Sequence, residues 1–182
     1  MILFDGDRYA IFLKITLVEL IVVFGIIRRH YIFLSNLSLV KYLFAVTSEM
    51  LVCTFFLGFI FARIFPGDER SFDLPFPYLV VVAMTLGPII ETFLAQLVPY
   101  ELMGALSINR LWSFYVSWLI FFSMHLSIGF ETALTAGLVG GFFLSATYYI
   151  WRRKSLRLAY VATLSCHALV NGTLLGIMYC VK

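Results

Sequence analysis

Glu91 in PIIETFLAQ, His125 in FFSMH, and His167 with Asn171 in CHALVN stand inside runs apolar enough to cross a lipid bilayer. An ionisable side chain at that depth is costly, so each marks a functional site by default. A carboxyl group and two imidazoles facing one another across a small cavity form the inventory needed to deprotonate a water, bind a metal ion or relay protons. Phe121 and His125 are four residues apart, as are His167 and Asn171, so each pair shares one helix face. Geometry decides among the three chemistries, and sequence alone gives only depth.

The elements that must hold these residues follow from composition. The chain has 182 residues, 62% hydrophobic and 13% charged, with a mean hydropathy of +0.98. Charged residues make up about 25% of an ordinary soluble domain, so a water-soluble protein is excluded. Apolar runs at about 10–27, 42–65, 78–101, 111–130, 132–151 and 157–180 each come close to the ~20 residues that span hydrocarbon. The expected fold is all-α, a single integral-membrane domain over 1–182 with about six transmembrane helices and a polar catalytic cavity among spans 3, 4 and 6. The segment FPGDERSFDLPFP, 65–77, is the long polar break and reads as an extended connection. A short turn at Gly129 makes spans 4 and 5 antiparallel neighbours.

The opening MILFDGDRYAIFLK lacks the basic start and cleavage site of a secretory signal, so the first run reads as an anchor. Three cysteines, with Cys53 and Cys166 inside spans, support neither a disulfide framework nor a thiolate metal cluster. The net charge of +3 comes from basic residues beside apolar runs, at Arg28 to His30 and Arg152 to Arg157. That placement points to the lipid surface and to topology rather than to nucleic acid. Connections one, three and five carry Arg28, Arg29, Lys41, Arg110, Arg152, Arg153, Lys154 and Arg157, which predicts them cytoplasmic, with both termini outside, in a multi-pass cell-membrane protein. Glu91, His125 and His167 then reach similar depth, near mid-membrane. Gly137 with Gly141, and Gly172 with Gly176, have the small-xxx-small spacing that lets helix backbones approach. The Phe and Tyr residues read as mostly lipid-facing or interfacial, with Tyr148, Tyr149 and Trp151 as a belt.

These residues resemble the CAAX prenyl protease 2 group, the CPBP or Abi family of intramembrane proteases. The family's first motif is a glutamate pair followed after three residues by arginine, and the matching positions here are Glu91, Thr92 and Gln96. Its second motif, Phe-xxx-His, matches Phe121 and His125, and its third, His-xxx-Asn/Asp, matches His167 and Asn171. The likeness covers about 78–180. It implies an intramembrane endopeptidase in which Glu91 activates the attacking water, His125 assists or holds it, and His167 and Asn171 orient the water and stabilise the oxyanion. The implied substrate is a membrane peptide or a lipidated protein tail near the cytoplasmic leaflet, and the expected homologue is prokaryotic. Thr92 lacks the second carboxylate and Gln96 lacks the cation, so family roles that need that charged pair do not carry over. Phe121, Thr92 and Gln96 are supporting positions.

Other readings stand beside this one. Glu91, His125 and His167 also have the composition of a two-His, one-carboxylate zinc site with an open position for water; without a HExxH helix, glutamate-activated water with no further cofactor is slightly favoured. A different class altogether is a non-catalytic membrane scaffold, a bacteriocin-immunity or regulatory factor, or a proton-coupled carrier. A carrier usually shows repeated halves, and none is visible. Glu49 in span 2 is a further buried polar candidate, although a hydrogen bond within the bundle explains it better. Lys14 snorkels, Glu19 is a counter-ion or packing feature, and His30 sits in a basic loop.

Overall fold

The computed structural model describes residues 29–64 and 75–180, apart from the side chain of Ala62. The chain divides into two compact units, Met1–Ser38 and Leu39–Lys182. In the first, residues 29–35 are helical, and Ser35 Oγ and Asn36 Nδ2 both donate to the Ile32 carbonyl, at 2.9 and 3.0 Å. His30 is exposed there, beside Phe33. The expected first span, with Lys14 and Glu19, lies outside the described residues.

The second unit is all helix among its described residues: α1, Leu39–Ile64; α2, Phe76–Ala105; α3, Arg110–Leu126; α4, Phe130–Arg152; and α5, Leu156–Cys180. Four of these, α1, α2, α4 and α5, are long and apolar enough to cross a membrane. Helix α3 has 17 residues, or roughly 25 Å at 1.5 Å per residue. It ends four residues before the expected boundary of 130. Gly129 explains the stop: its φ of 148° lies where only glycine is comfortable, and it reverses the chain directly into α4.

Helix α2 is continuous but not regular. It widens to π-helical geometry at Val82–Leu86 and again at Thr92–Leu97, shortly before Pro88 and Pro99. Proline has no N–H and its ring crowds the carbonyl four residues back, so a wider turn relieves both problems. Glu91 sits between the two widened turns. A third π-helical stretch, Ala133–Gly140, opens α4 in a run of small residues.

Helix α4 packs closely on both α3 and α5, α2 packs against all three, and α1 lies on α4 and α5. The core is partly aromatic: Tyr42, Phe121, Leu144 and Tyr148 are almost wholly inaccessible. This corrects the expected interfacial belt. Tyr148 lies against Tyr100 at a tilt, with ring centroids 4.8 Å apart, and Trp151 meets Tyr42 edge-on at 5.4 Å, because the face of α4 that carries them turns toward the other helices. Tyr149 alone of the three keeps partial exposure. Phe44, Phe56, Phe59 and Val52 on α1 do face outward, as lipid-facing residues should.

The glycine pairs also divide. A Cβ on Gly137 would lie 3.1 Å from the Phe122 backbone, and one on Gly141 3.0 Å from the Phe121 ring, so α3 and α4 approach through these positions. Gly172 instead meets the flexible end of Met84, and no described atom comes within 4 Å of a Cβ on Gly176. The expected α5 approach motif is therefore not a backbone contact among the described residues.

Candidate functional site

Helices α2, α3 and α5 bring the three polar stations together. Glu91 Oε2 lies 3.6 Å from His167 Nε2 and 4.0 Å from His125 Nε2. They line a cavity of about 180 Å3 with Phe121, Asn171, Val170 and Leu174, closed by Met50 and Thr54 of α1 and by Thr135, Ala136 and Gly140 of α4. Both imidazoles are buried, and the Glu91 side chain keeps 29% exposure. Glu49 does not line this cavity; its neighbour Met50 does.

The hydrogen bonds around the rings assign their chemistry. His125 Nδ1 is 3.0 Å from the Phe121 carbonyl one turn back. A carbonyl only accepts, so Nδ1 carries a hydrogen and Nε2 is the nitrogen turned toward Glu91. Glu91 Oε2 and His125 Nε2 thus face each other across 4.0 Å. Neither separation from Glu91 is a direct hydrogen bond, and polar groups spaced this way are suited to a bridging water. Phe121 holds both rings in place, stacking on His125 at 4.6 Å and meeting His167 edge-on at 5.6 Å. The shared helix face read for Phe121 and His125 is therefore also a direct contact.

Asn171 has an additional structural task. Its Nδ2 donates to the Ala83 carbonyl at 2.9 Å. In the π register that carbonyl would pair with the N–H of residue 88, which proline lacks. The amide has two hydrogens, so one can bond Ala83 while the second points elsewhere. Tyr160 makes a similar tie, its hydroxyl donating to the Ile89 carbonyl at 3.3 Å. Together these fix the antiparallel register of α5 on α2, with His167 opposite Glu91.

Thr92 and Gln96, one turn apart, point away from the cavity into the contact of α2 with α3, α4 and α5. Both are wholly inaccessible, and Thr92 Oγ1 and both polar atoms of the Gln96 amide have no protein partner. Leaving such groups dry costs about 1–3 kcal/mol each. Further along α2, Glu101 forms a forked pair with Arg152, at 2.6 and 2.9 Å, and accepts a hydrogen bond from Tyr148 at 3.3 Å. Sequence reading passed over Glu101, which lies at the end of its apolar run, where a solvated charge is expected.

The chain matches no family model, no curated protein and no solved structure.

Among the described residues no three His, Cys, Asp or Glu side chains form a group that could hold a metal ion. Glu91, His125 and His167 bring a carboxyl group and two imidazoles together on a space the size of a few water molecules.

Proposed function

We propose that this chain is an intramembrane endopeptidase similar in its machinery to the CAAX prenyl protease 2 group, using water activated by Glu91. The observation that carries the reading is that Glu91 Oε2 and His125 Nε2 face each other 4.0 Å apart across one cavity, so that with Glu91 ionised and His125 neutral both accept from the same water. A water between them donates one hydrogen to each and turns its oxygen lone pairs outward. With its hydrogen on Nε2, His167 donates to that oxygen and orients it.

Peptide hydrolysis then proceeds by steps that balance. The water oxygen bonds to the peptide carbonyl carbon while its proton passes to Glu91, with His125 Nε2 holding the second hydrogen. The carbonyl oxygen becomes an oxyanion, for which His167 Nε2–H and the second hydrogen of Asn171 Nδ2 are the available donors. The C–N bond breaks as Glu91 returns the proton to the departing nitrogen, leaving an acid and an amine. The substrate class is a membrane peptide or a lipidated protein tail. It enters between α1 and α2, which do not pack extensively on each other although both line the cavity.

In the membrane, α3 serves as a further, short span, and the basic ends of α2 to α5 face the cytoplasm. Arg110, Arg152, Arg153, Lys154 and Arg157 fall at one end of the bundle, which the Glu101–Arg152 pair closes. The test is hydrolysis of a quenched membrane-peptide library by the purified chain in detergent or nanodiscs. Glu91→Gln keeps the volume of the side chain but removes its basicity, and should lower the rate by about 10²–10⁴-fold. Activity that survives Glu91→Gln refutes the mechanism, and a response to chelator would move it to metal-assisted chemistry.

A further inference from the structure

At the basic end of the bundle, Tyr100, Glu101, Gly104, Arg110, Tyr149 and Arg152 line a surface notch of about 70 Å3, where the end of α2, the start of α3 and the end of α4 meet. Two guanidinium groups and one carboxylate border it. Both oxygens of Glu101 are already taken, Oε1 by Arg152 Nε at 2.6 Å and the Tyr148 hydroxyl at 3.3 Å, and Oε2 by Arg152 Nη2 at 2.9 Å. Nη1 of Arg152 stays outside that fork. The Arg110 side chain is exposed and, among the described residues, makes no hydrogen bond or ion pair. The notch therefore keeps one unmatched positive charge with its donors unused, which is what recognition of an anionic oxygen group requires. Gly104 adds no side chain to the wall, and a Cβ there would meet no described atom within 4 Å, so the notch is open on its α2 side.

The surroundings narrow the class of anion. Leu102, Leu106, Ile108, Leu111 and Trp112, interleaved in the chain with the notch-lining Gly104 and Arg110, are all exposed. So dense a run of exposed apolar side chains marks a membrane or partner surface rather than a water-facing loop. Trp112 lies beside Tyr115 with ring centroids 6.2 Å apart and both exposed, an aromatic pair suited to the headgroup level of a bilayer. Positive charge continues past the rim at Arg153 and at Lys154, whose amine sits 4.0 Å above the Trp151 ring. Basic pockets between membrane helices hold anionic headgroups by this combination of charge and interfacial depth. A soluble phosphate ester would use the notch and leave the apolar flank idle, whereas a lipid uses both.

We propose that this notch binds the phosphate of an anionic phospholipid, with Arg110 and Nη1 of Arg152 as its donors and the acyl chains along the exposed apolar side chains of 102–112. Glu101 has a part in it without touching the lipid: its fork holds the Arg152 guanidinium at the notch. The site is separate from the Glu91 cavity, with no lining residue in common, and it stands whether or not the chain hydrolyses peptides.

The test is native mass spectrometry of the full chain, delipidated in neutral detergent and titrated separately with phosphatidylglycerol, phosphatidylcholine and glycerol phosphate. The wild-type chain should retain phosphatidylglycerol in preference to phosphatidylcholine. Arg110→Gln should weaken that retention by about fivefold, the weight of one basic residue at an anionic surface, and leave phosphatidylcholine unchanged. Gly104→Leu alters no charge but fills the notch, and should weaken phosphatidylglycerol likewise. Arg157→Gln removes the same charge from an exposed position outside the notch and should leave retention as it is. Melting temperatures confirm that each variant is folded; Arg110 and Arg157 are both exposed, so their comparison decides the matter even if Gly104→Leu fails to fold. No preference for the anionic lipid, or an equal loss in Arg157→Gln, overturns the proposal in favour of a diffuse basic surface. Glycerol phosphate binding as tightly as the lipid, and lost in Arg110→Gln, overturns it in favour of a soluble phosphate.

Discussion

Asn171 Nδ2 donates to the Ala83 carbonyl at 2.9 Å, the backbone acceptor left open by the missing N–H of Pro88. One side chain of α5 thereby completes the backbone of α2 a few residues before Glu91. The bond ties the carboxylate's helix to the helix that bears His167, so the register of the site depends on it.

Loss of this bond should be partly reparable from the other side. Asn171→Ala leaves the Ala83 carbonyl unpaired and should cost about 1–3 kcal/mol. Pro88→Ala restores a backbone N–H, so in that background the Asn171→Ala penalty should shrink by at least 0.5 kcal/mol, the size expected for residues sharing a partner. Denaturant or thermal unfolding of the four proteins measures the coupling. Strict additivity would show that Asn171 and Pro88 do not share the carbonyl.

Phe121 offers a way to separate alignment from stability. Its ring is 2% exposed and touches both imidazoles. Phe121→Leu keeps an apolar side chain but loses two aromatic contacts, worth about 0.5–1.5 kcal/mol each. On the proposed peptidase reading, hydrolysis should fall more steeply than the melting temperature, with the loss in kcat rather than KM. A variant whose activity merely tracks its stability would make Phe121 core packing alone.

Much of this centre is legible in the chain. Glu91, His125, His167 and Asn171 could be assembled from depth in their spans and from four-residue spacing, and the structure brings them around one cavity. Long apolar helices announce themselves through composition, which is why α1, α2, α4 and α5 lie close to their expected bounds. What stayed hidden depends on tertiary context. The widened turns beside Glu91 follow from Pro88 and Pro99, but only the tertiary fold brings Asn171 to the Ala83 carbonyl that Pro88 leaves open. Tyr148 and Trp151 have the composition of a membrane belt, and only the packing of α4 turns them inward. Gly176 has the spacing of a helix contact without an opposing described atom. Glu101 looks like a loop charge until Arg152 and Tyr148 close on it.

The glycines of α4 and α5 should respond differently to the same added methyl. Gly137→Ala places its Cβ 3.1 Å from Phe122 Cα and from His125 Cβ, where backbone must give way. Overpacking of that kind costs about 1–3 kcal/mol, and it displaces His125, so stability should drop and, on the proposed peptidase reading, hydrolysis with it. Gly172→Ala meets Met84 at 2.6 Å from Cε, but that is the end of a flexible side chain able to turn aside. It should leave the melting temperature within a few degrees of wild type, near the sensitivity of ~2–4 °C per kcal/mol. Equal losses at both positions would refute the assignment of the close approach to α3 and α4.

Arg152 and Glu101 test the basic end of the bundle. The pair is forked and about one third exposed, with side-chain exposures of 32% and 35%, so screening discounts its Coulomb energy to about 1 kcal/mol or less. Arg152→Lys keeps the charge and loses the fork. It should therefore cost nearly as much as Arg152→Gln, and added salt should narrow the gap between wild type and both variants. Because the pair borders the Tyr100 notch rather than the Glu91 cavity, neither variant should alter the distance from Glu91 to His167. Thermal unfolding at low and high salt measures the first expectation. Full stability in Arg152→Lys would show that charge alone, without the two-point geometry, holds the end of α2 to α4.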